Sequence, residues 1–221
     1  MNGLAETLER VGRGQPLSPD GCVSLLPSPG APAVAAVLGF TAHHLIAADI
    51  GSDWLTSRLG NAEIGRPLQP DFLAALGEHL QARPGGQDVL LATVGTGSST
   101  GPELPGLTRD TGSSDHPRVQ RASRYRDDVL VAAVHGGLLT IGRGLAGRWE
   151  ISIEVEPEYR GAGIGRQLAM HGRALVPAEA LLWAQVHPAN VASVRAFLAA
   201  GYRPVGAEVL FTATAPVAQG R

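Results

Sequence analysis

One cysteine, Cys22, is all the thiol this chain of 221 residues carries. A lone cysteine excludes an internal disulfide framework and fits a reducing compartment, so a cytoplasmic location is expected. Cys22 itself reads as a small buried side chain rather than a nucleophile. Excess charge is also scarce: 18 basic against 20 acidic residues leave a net charge of −2. That balance excludes a general attraction to nucleic acid or to an anionic membrane. No apolar run reaches the roughly 18 residues needed to cross a bilayer. The opening Met1-Asn2-Gly3-Leu4-Ala5-Glu6 lacks the basic start and apolar stretch of a secretory signal. Metal-binding spacings are missing too. There is no His-Glu-x-x-His or cysteine-rich pattern, and adjacent His43 and His44 on a strand point to opposite faces. What remains is ordinary globular composition, 44% hydrophobic and 17% charged.

A weak segment from Gly95 to about Pro117, dominated by glycine, proline and serine, divides the chain and reads as a linker, with a short strand near Leu107. Its Gly95-Thr96-Gly97-Ser98-Ser99-Thr100-Gly101 superficially resembles a nucleotide loop. Pro102 and Pro105 then stand where a helix would have to begin. Before the linker, the pattern predicts a helix over 4–12 and one or two strands over 33–50 with a bend near Gly39. It also predicts a helix from Pro70 to about Gln81, with Phe72, Leu73, Leu76 and Leu80 on its apolar side, and a strand over 88–94. This half reads as a small α/β region, residues 1–95, of unknown role. After the linker, residues 118–221, beginning near 107 at the earliest, read as a second domain. A helix over 115–126 leads into strands over 129–134 and 138–141 that flank His135-Gly136-Gly137, a hairpin signature. A strand over 149–155, a helix over 163–174, a strand over 180–186, a helix over 190–200 and a strand over 205–212 follow. A mixed, mostly antiparallel sheet with a crossover helix, of the α+β kind within the α/β class, is the economical arrangement.

The most informative stretch is Val-Glu-Pro-Glu-Tyr-Arg-Gly-Ala-Gly-Ile-Gly, Val155 to Gly165. Pro157 ends the strand, and the glycines let the backbone turn tightly and approach a ligand. The amides of the following helix's first turn, with the helix dipole, then favour a phosphate or diphosphate. A P-loop would need Lys after its last glycine, and no Lys follows Gly165. A dinucleotide fingerprint counted from Gly161 would end on glycine, and that position is Arg166. Both common nucleotide folds fail.

Arg160, Gly161, Ala162, Gly163, Ile164 and Gly165, preceded by Val-x-Pro, resemble the central motif of the GNAT acyltransferase superfamily. A second stretch, Gln185-Val186-His187-Pro188-Ala189-Asn190-Val191-Ala192-Ser193 continuing to Ala200-Gly201-Tyr202, resembles that family's next strand, Asn-capped helix and Gly-aromatic ending. The resemblance covers about residues 107–213. It implies a GNAT-like sheet flanked by helices, with acetyl-CoA or another acyl-CoA as co-substrate and no metal. The loop amides through Arg166 would hold the coenzyme's diphosphate, and the strand ending at Val155 would pair with pantetheine. Asn190 is a good helix cap, and the resemblance also brings it to the coenzyme. The activity implied is N-acetyl transfer to a small-molecule or peptide amine by direct attack. The alternative is a non-catalytic acyl-CoA sensor. For residues 1–95 a degenerate copy of the fold, an acceptor lid and a homodimer surface all stay open.

Acyl transfer needs a neutral amine, yet a lysine-like amine is almost wholly protonated at pH 7, so freeing it costs about 4–5 kcal/mol unaided. A carboxylate near the acceptor can draw in the ammonium and take its proton. Strand alternation puts Glu150, Ser152 and Glu154 on one face and Ile151, Ile153 and Val155 on the other. Glu154 and Glu150 are therefore the candidate base or amine anchor; the alternative is that this face is simply solvated. The family often places a tyrosine seven residues after the capping Asn as acid for the thiol. Here that residue is Phe197, which can pack against the coenzyme but has no proton to give. His187, just past a strand, could relay a proton or simply cap and pack. Arg118, Arg121, Arg124 and Arg126 read as a solvated helix face, or alternatively as a contact for an acidic partner or the coenzyme's ribose phosphate.

Overall fold

The computed structural model describes residues 3–60, 65–97, 108–109 and 115–214. Its elements in chain order are α1 (Leu4–Gly12), β1 (Val23–Leu26), β2 (Ala33–Phe40), β3 (His43–Ala47), α2 (Ser52–Leu59), α3 (Pro70–Leu80), β4 (Ala82–Pro84) and β5 (Asp88–Val94). They continue with β6 (Thr108–Arg109), α4 (Pro117–Tyr125), β7 (Asp127–Val134), β8 (Gly137–Arg143), β9 (Trp149–Val155), α5 (Ile164–Ala174), β10 (Leu181–Val186), α6 (Val191–Ala199) and β11 (Arg203–Ala213). No helix among the described residues is long and apolar enough to cross a membrane.

The chain divides into two compact units, and their boundaries differ from the expected cut at residues 95–118. One unit joins residues 1–15 to 88–205; the other joins 16–87 to 206–221. The reason is local packing. Helix α1 is amphipathic and buries Leu4, Leu8 and Val11. A Cβ on Gly12 would collide with Leu181 and Trp183 of β10, so α1 sits against a strand nearly 170 positions later. Strand β5 pairs antiparallel with β10 along its whole length, from Val94↔Leu181 to Val89↔Val186. Most of the expected linker, residues 98–107 and 110–114, lies outside the described residues. Its opening is bound into the first unit, where Gly95 donates to the Ala180 carbonyl at 2.7 Å and Thr96 to that of Arg173 at 2.8 Å. The strand expected near Leu107 is β6, which pairs with β7.

In the first unit the strands run in the order β5-β10-β9-β8-β7-β6, antiparallel except for β10 beside β9. Alternation divides the sheet chemically. One face carries Leu139, Ile141, Ile151, Leu182, Ala184 and Val186, which pack with Leu168 and Ala169 of α5 and Phe197 of α6. A Cβ on Gly172 would strike Ile151, so α5 lies close on β9. The other face carries Thr140, Glu150, Ser152, Glu154, Trp183 and Gln185 and faces α1 and α4.

The second unit pairs β1 parallel with β3, β3 with β2, and residues 207–213 of β11 with β2 and β4. Helix α3 has the expected apolar side, with Phe72, Leu73 and Leu76 buried against Val37, Ile46, Val209 and Phe211. In the β2–β3 hairpin His43 bonds Asp20 at 2.9 Å through Nδ1 and Ser24 at 3.0 Å through Nε2. Cys22, expected buried, is exposed.

Candidate functional site

Strands β9 and β10 pair only at Leu182↔Trp149 and Trp183↔Glu150. Beyond those residues the parallel ladder stops, although β9 continues to Val155 and β10 to Val186. On its other side β9 stays fully paired with β8 as far as Gly137↔Val155. The two strands therefore part toward their C-terminal ends. The stretch 151–155 of β9 is left with an edge that an extended ligand can use as a strand would.

The glycine loop stands at the end of that opening. After Val155, residues 157–159 make one 3-10 turn, and Gly161 and Gly163 follow at φ of 82° and 83°. A Cβ at either would meet nothing within 4 Å, so glycine is required there by the left-handed backbone, and the space above the loop is open. Gly163 is the N-cap of α5, and no side chain caps that helix. Its first internal bond is Gln167 N–H to the Gly163 carbonyl, leaving the amides of Ile164, Gly165 and Arg166 ahead of it at the positive end of the dipole. Arg160 is exposed and its Nε donates to the Val155 carbonyl at 3.3 Å. Asn190 is the N-cap of α6, its Oδ1 accepting from Ser193 N–H at 3.2 Å, and it is exposed.

Both glutamates of β9 are paired with arginine. Glu150 is 5% exposed and accepts from Arg126 Nε at 3.0 Å, Arg148 Nε at 2.8 Å, Leu145 N–H at 3.2 Å and the Gln185 side chain. Burial pushes this carboxyl up, but Arg148 and Arg126 together outweigh burial and hold it below its ordinary range. The arrangement takes Glu150 away from the base role expected for it, because it is buried and both its oxygens are engaged. Glu154 is half-exposed and accepts from Arg118 Nε at 2.6 Å; that hydrogen bond keeps its carboxyl low. The arginines of α4 are thus not a plain solvated face, since Arg118 and Arg126 turn onto the sheet, while Arg121 and Arg124 lie over the Tyr125 ring.

Residues 102–202 match the family model described as the Acetyltransferase (GNAT) family. These residues form a GNAT acetyltransferase-family segment. Among solved structures, the chain is similar to a GCN5-related N-acetyltransferase from Kribbella flavida, at 18% identity, 67% of this chain, 66% of that one and a TM-score of 0.43. It is also similar to a GCN5-related N-acetyltransferase from Sphaerobacter thermophilus, at 18% identity over 64% of this chain and 55% of that one, with a TM-score of 0.41. The chain therefore spans less than two thirds of the length of both. No curated protein matches it.

Within the GNAT domain, Phe197 is not where it could meet a ligand. It is 3% exposed and packs edge-to-face on Tyr202, with ring centroids 4.9 Å apart. Contact with the coenzyme, expected of it from sequence, is replaced by a place in the core. Tyr202 offers no substitute acid: it is buried, its hydroxyl donates to the Ala169 carbonyl at 3.2 Å, and burial raises its pKa. His187 is exposed and its Nδ1 accepts from Ala189 N–H at 3.2 Å. Three participants on the polar face escaped sequence reasoning: Arg148 and Gln185, which complete the Glu150 cluster, and Asp88. A lone arginine, glutamine or aspartate carries no signal until the strand pairing around it is known.

Proposed function

We propose that this chain is an N-acyltransferase, using acetyl-CoA by preference, that passes its acyl group directly to an amine. The observation that carries this reading is the opening between β9 and β10, which leads to an uncapped, glycine-built helix N-terminus. The diphosphate of coenzyme A would be held by the amides from Gly161 to Arg166, with Arg160 at the rim. The pantetheine arm would lie along the free edge of β9 up to Val155. Asn190, exposed at the start of α6, would flank it. This leaves the thioester where the strands part, and the amine arrives over the polar face between Glu154 and Gln185. Glu150 and its two arginines then act as a rigid floor, and Glu154 as a rim carboxylate that helps draw in an ammonium. A sensor that binds without turnover is the weaker reading, since the matching family is one of acetyltransferases.

The chain contains no lysine, so its own side chains do not compete as acceptors. Incubation with acetyl-CoA and a panel of primary amines, including lysine and N-terminal peptides, should release free thiol in step with acetylated amine. Release of thiol without any acetylated amine would count against transfer.

A further inference from the structure

The two glutamates of β9 are poor destinations for the proton an ammonium must lose, because each is already bound to arginine. Another carboxylate stands at the same end of the sheet. The β5–β10 ladder runs to Val89↔Val186; Asp88 is the next residue of β5 outward, and His187 is the residue that follows β10. Cross-strand partners share a face. By alternation along β5, Asp88 projects on the side of Leu90↔Gln185 and Ala92↔Trp183, which through Trp183↔Glu150 is the face of the glutamates. Asp88 and His187 lie at the end of β10 where it has left β9.

Asp88 is partly buried, and none of the ion pairs among the described residues involves it. The basic residues that act on it electrostatically are His187, just past β10, and Arg121 of α4. Glu154 and Arg118, on the same face, satisfy one another. His187 uses Nδ1 as an acceptor for Ala189 N–H, so in the neutral ring Nε2 carries the hydrogen and can only donate.

We propose that Asp88 is the group that takes the acceptor amine's proton, with the His187 Nε2–H beside it to orient the carboxylate. This rests on the acyl-transfer reading above. The ammonium gives one proton to the Asp88 carboxylate, directly or through a water. The neutral nitrogen forms its bond to the thioester carbonyl carbon, and the carbon–sulfur bond then breaks with its electron pair going to sulfur. The nitrogen's second proton ends on the thiolate, giving an amide and a thiol, and Asp88 returns its proton to solvent. Burial moves the Asp88 carboxyl above its ordinary range, partly offset by His187 and Arg121, and a base closer to neutrality accepts a proton more effectively.

The test compares Asp88→Asn, Asp88→Ala and Glu154→Gln, each measured for acetyl-CoA binding by calorimetry and for transfer to the best amine across pH. Asp88→Asn should bind acetyl-CoA as the wild type does, lose about 10²-fold or more in kcat, and lose the acidic limb of the wild-type pH profile. Glu154→Gln should keep that limb. Added formate should restore part of the Asp88→Ala rate, which a merely structural aspartate would not permit. An unchanged limb in Asp88→Asn, or an equal loss in Glu154→Gln with no formate rescue, would overturn Asp88 while leaving the acyl-transfer reading intact. A wild-type chain that binds acetyl-CoA but acetylates no amine overturns both.

Discussion

Arg126 and Glu150, 24 positions apart in sequence, are joined by an Nε–Oε2 hydrogen bond of 3.0 Å at the centre of the polar face, with side chains 10% and 6% exposed. The same guanidinium reaches Ser152 at 3.3 Å, and Ser152 bonds Thr140 at 2.7 Å. One arginine from the end of α4 therefore ties β8 and β9 together.

Replacing Glu150 by Gln should destabilise the chain by about 3–5 kcal/mol at neutral pH, because it leaves Arg126 and Arg148 buried without their counter-charge. The sign with pH follows from the lowered carboxyl. Its contribution is present above the ordinary glutamate value of 4.5 and is lost as pH falls through the depressed folded value. Urea denaturation should show a wide gap between wild type and variant at pH 7 that narrows in strong acid. A gap that does not depend on pH would mean that the ion pairs contribute little.

Asp88→Asn should show the opposite sign. Asp88 is held above its ordinary value of 3.8, chiefly by burial, so the native state gains relative stability below 3.8 and loses it as pH rises through the folded value. The variant should melt at or above the wild-type temperature at pH 7, and the advantage should vanish near pH 3. A large drop in melting temperature at pH 7 would instead show the carboxylate holding a structural contact.

Tyr202→Phe removes a hydroxyl whose bond goes to the Ala169 carbonyl. A loss of about 1 kcal/mol in stability is expected, with kcat and its pH profile unchanged. Loss of the alkaline limb in this variant would make Tyr202 the acid for the departing thiol.

Much of this was legible in the chain. The alternation of Glu150 to Val155 gave the two faces of β9, and the glycines of the loop announced the turn into α5. Asn190 announced the start of α6. Three kinds of feature were not. Short elements carry too little pattern: β1 spans four residues, β4 contains Pro84, and α2 buries only Leu55. Pairings across long stretches leave no local trace, as with Val89 opposite Val186 or Arg118 reaching Glu154. The role of α1 depended on Gly12 fitting against Trp183, a steric match that periodicity does not encode.

Gly163→Ala probes the loop alone. At φ 83° with open space around it, an alanine meets no neighbour but sits in a left-handed conformation costing about 1–2 kcal/mol. Coenzyme A affinity should fall about tenfold, the equivalent of 1.4 kcal/mol, as the loop relaxes away from its turn. An affinity unchanged in this variant would mean that the loop geometry does not set binding.

The most direct measurement is calorimetric titration of the wild-type chain with acetyl-CoA, coenzyme A and NAD, alongside the melting temperature in each ligand. Saturable binding of both coenzyme A compounds, a melting temperature that rises with their concentration, and no response to NAD are the predicted result. No binding at millimolar coenzyme A would contradict the account at its centre.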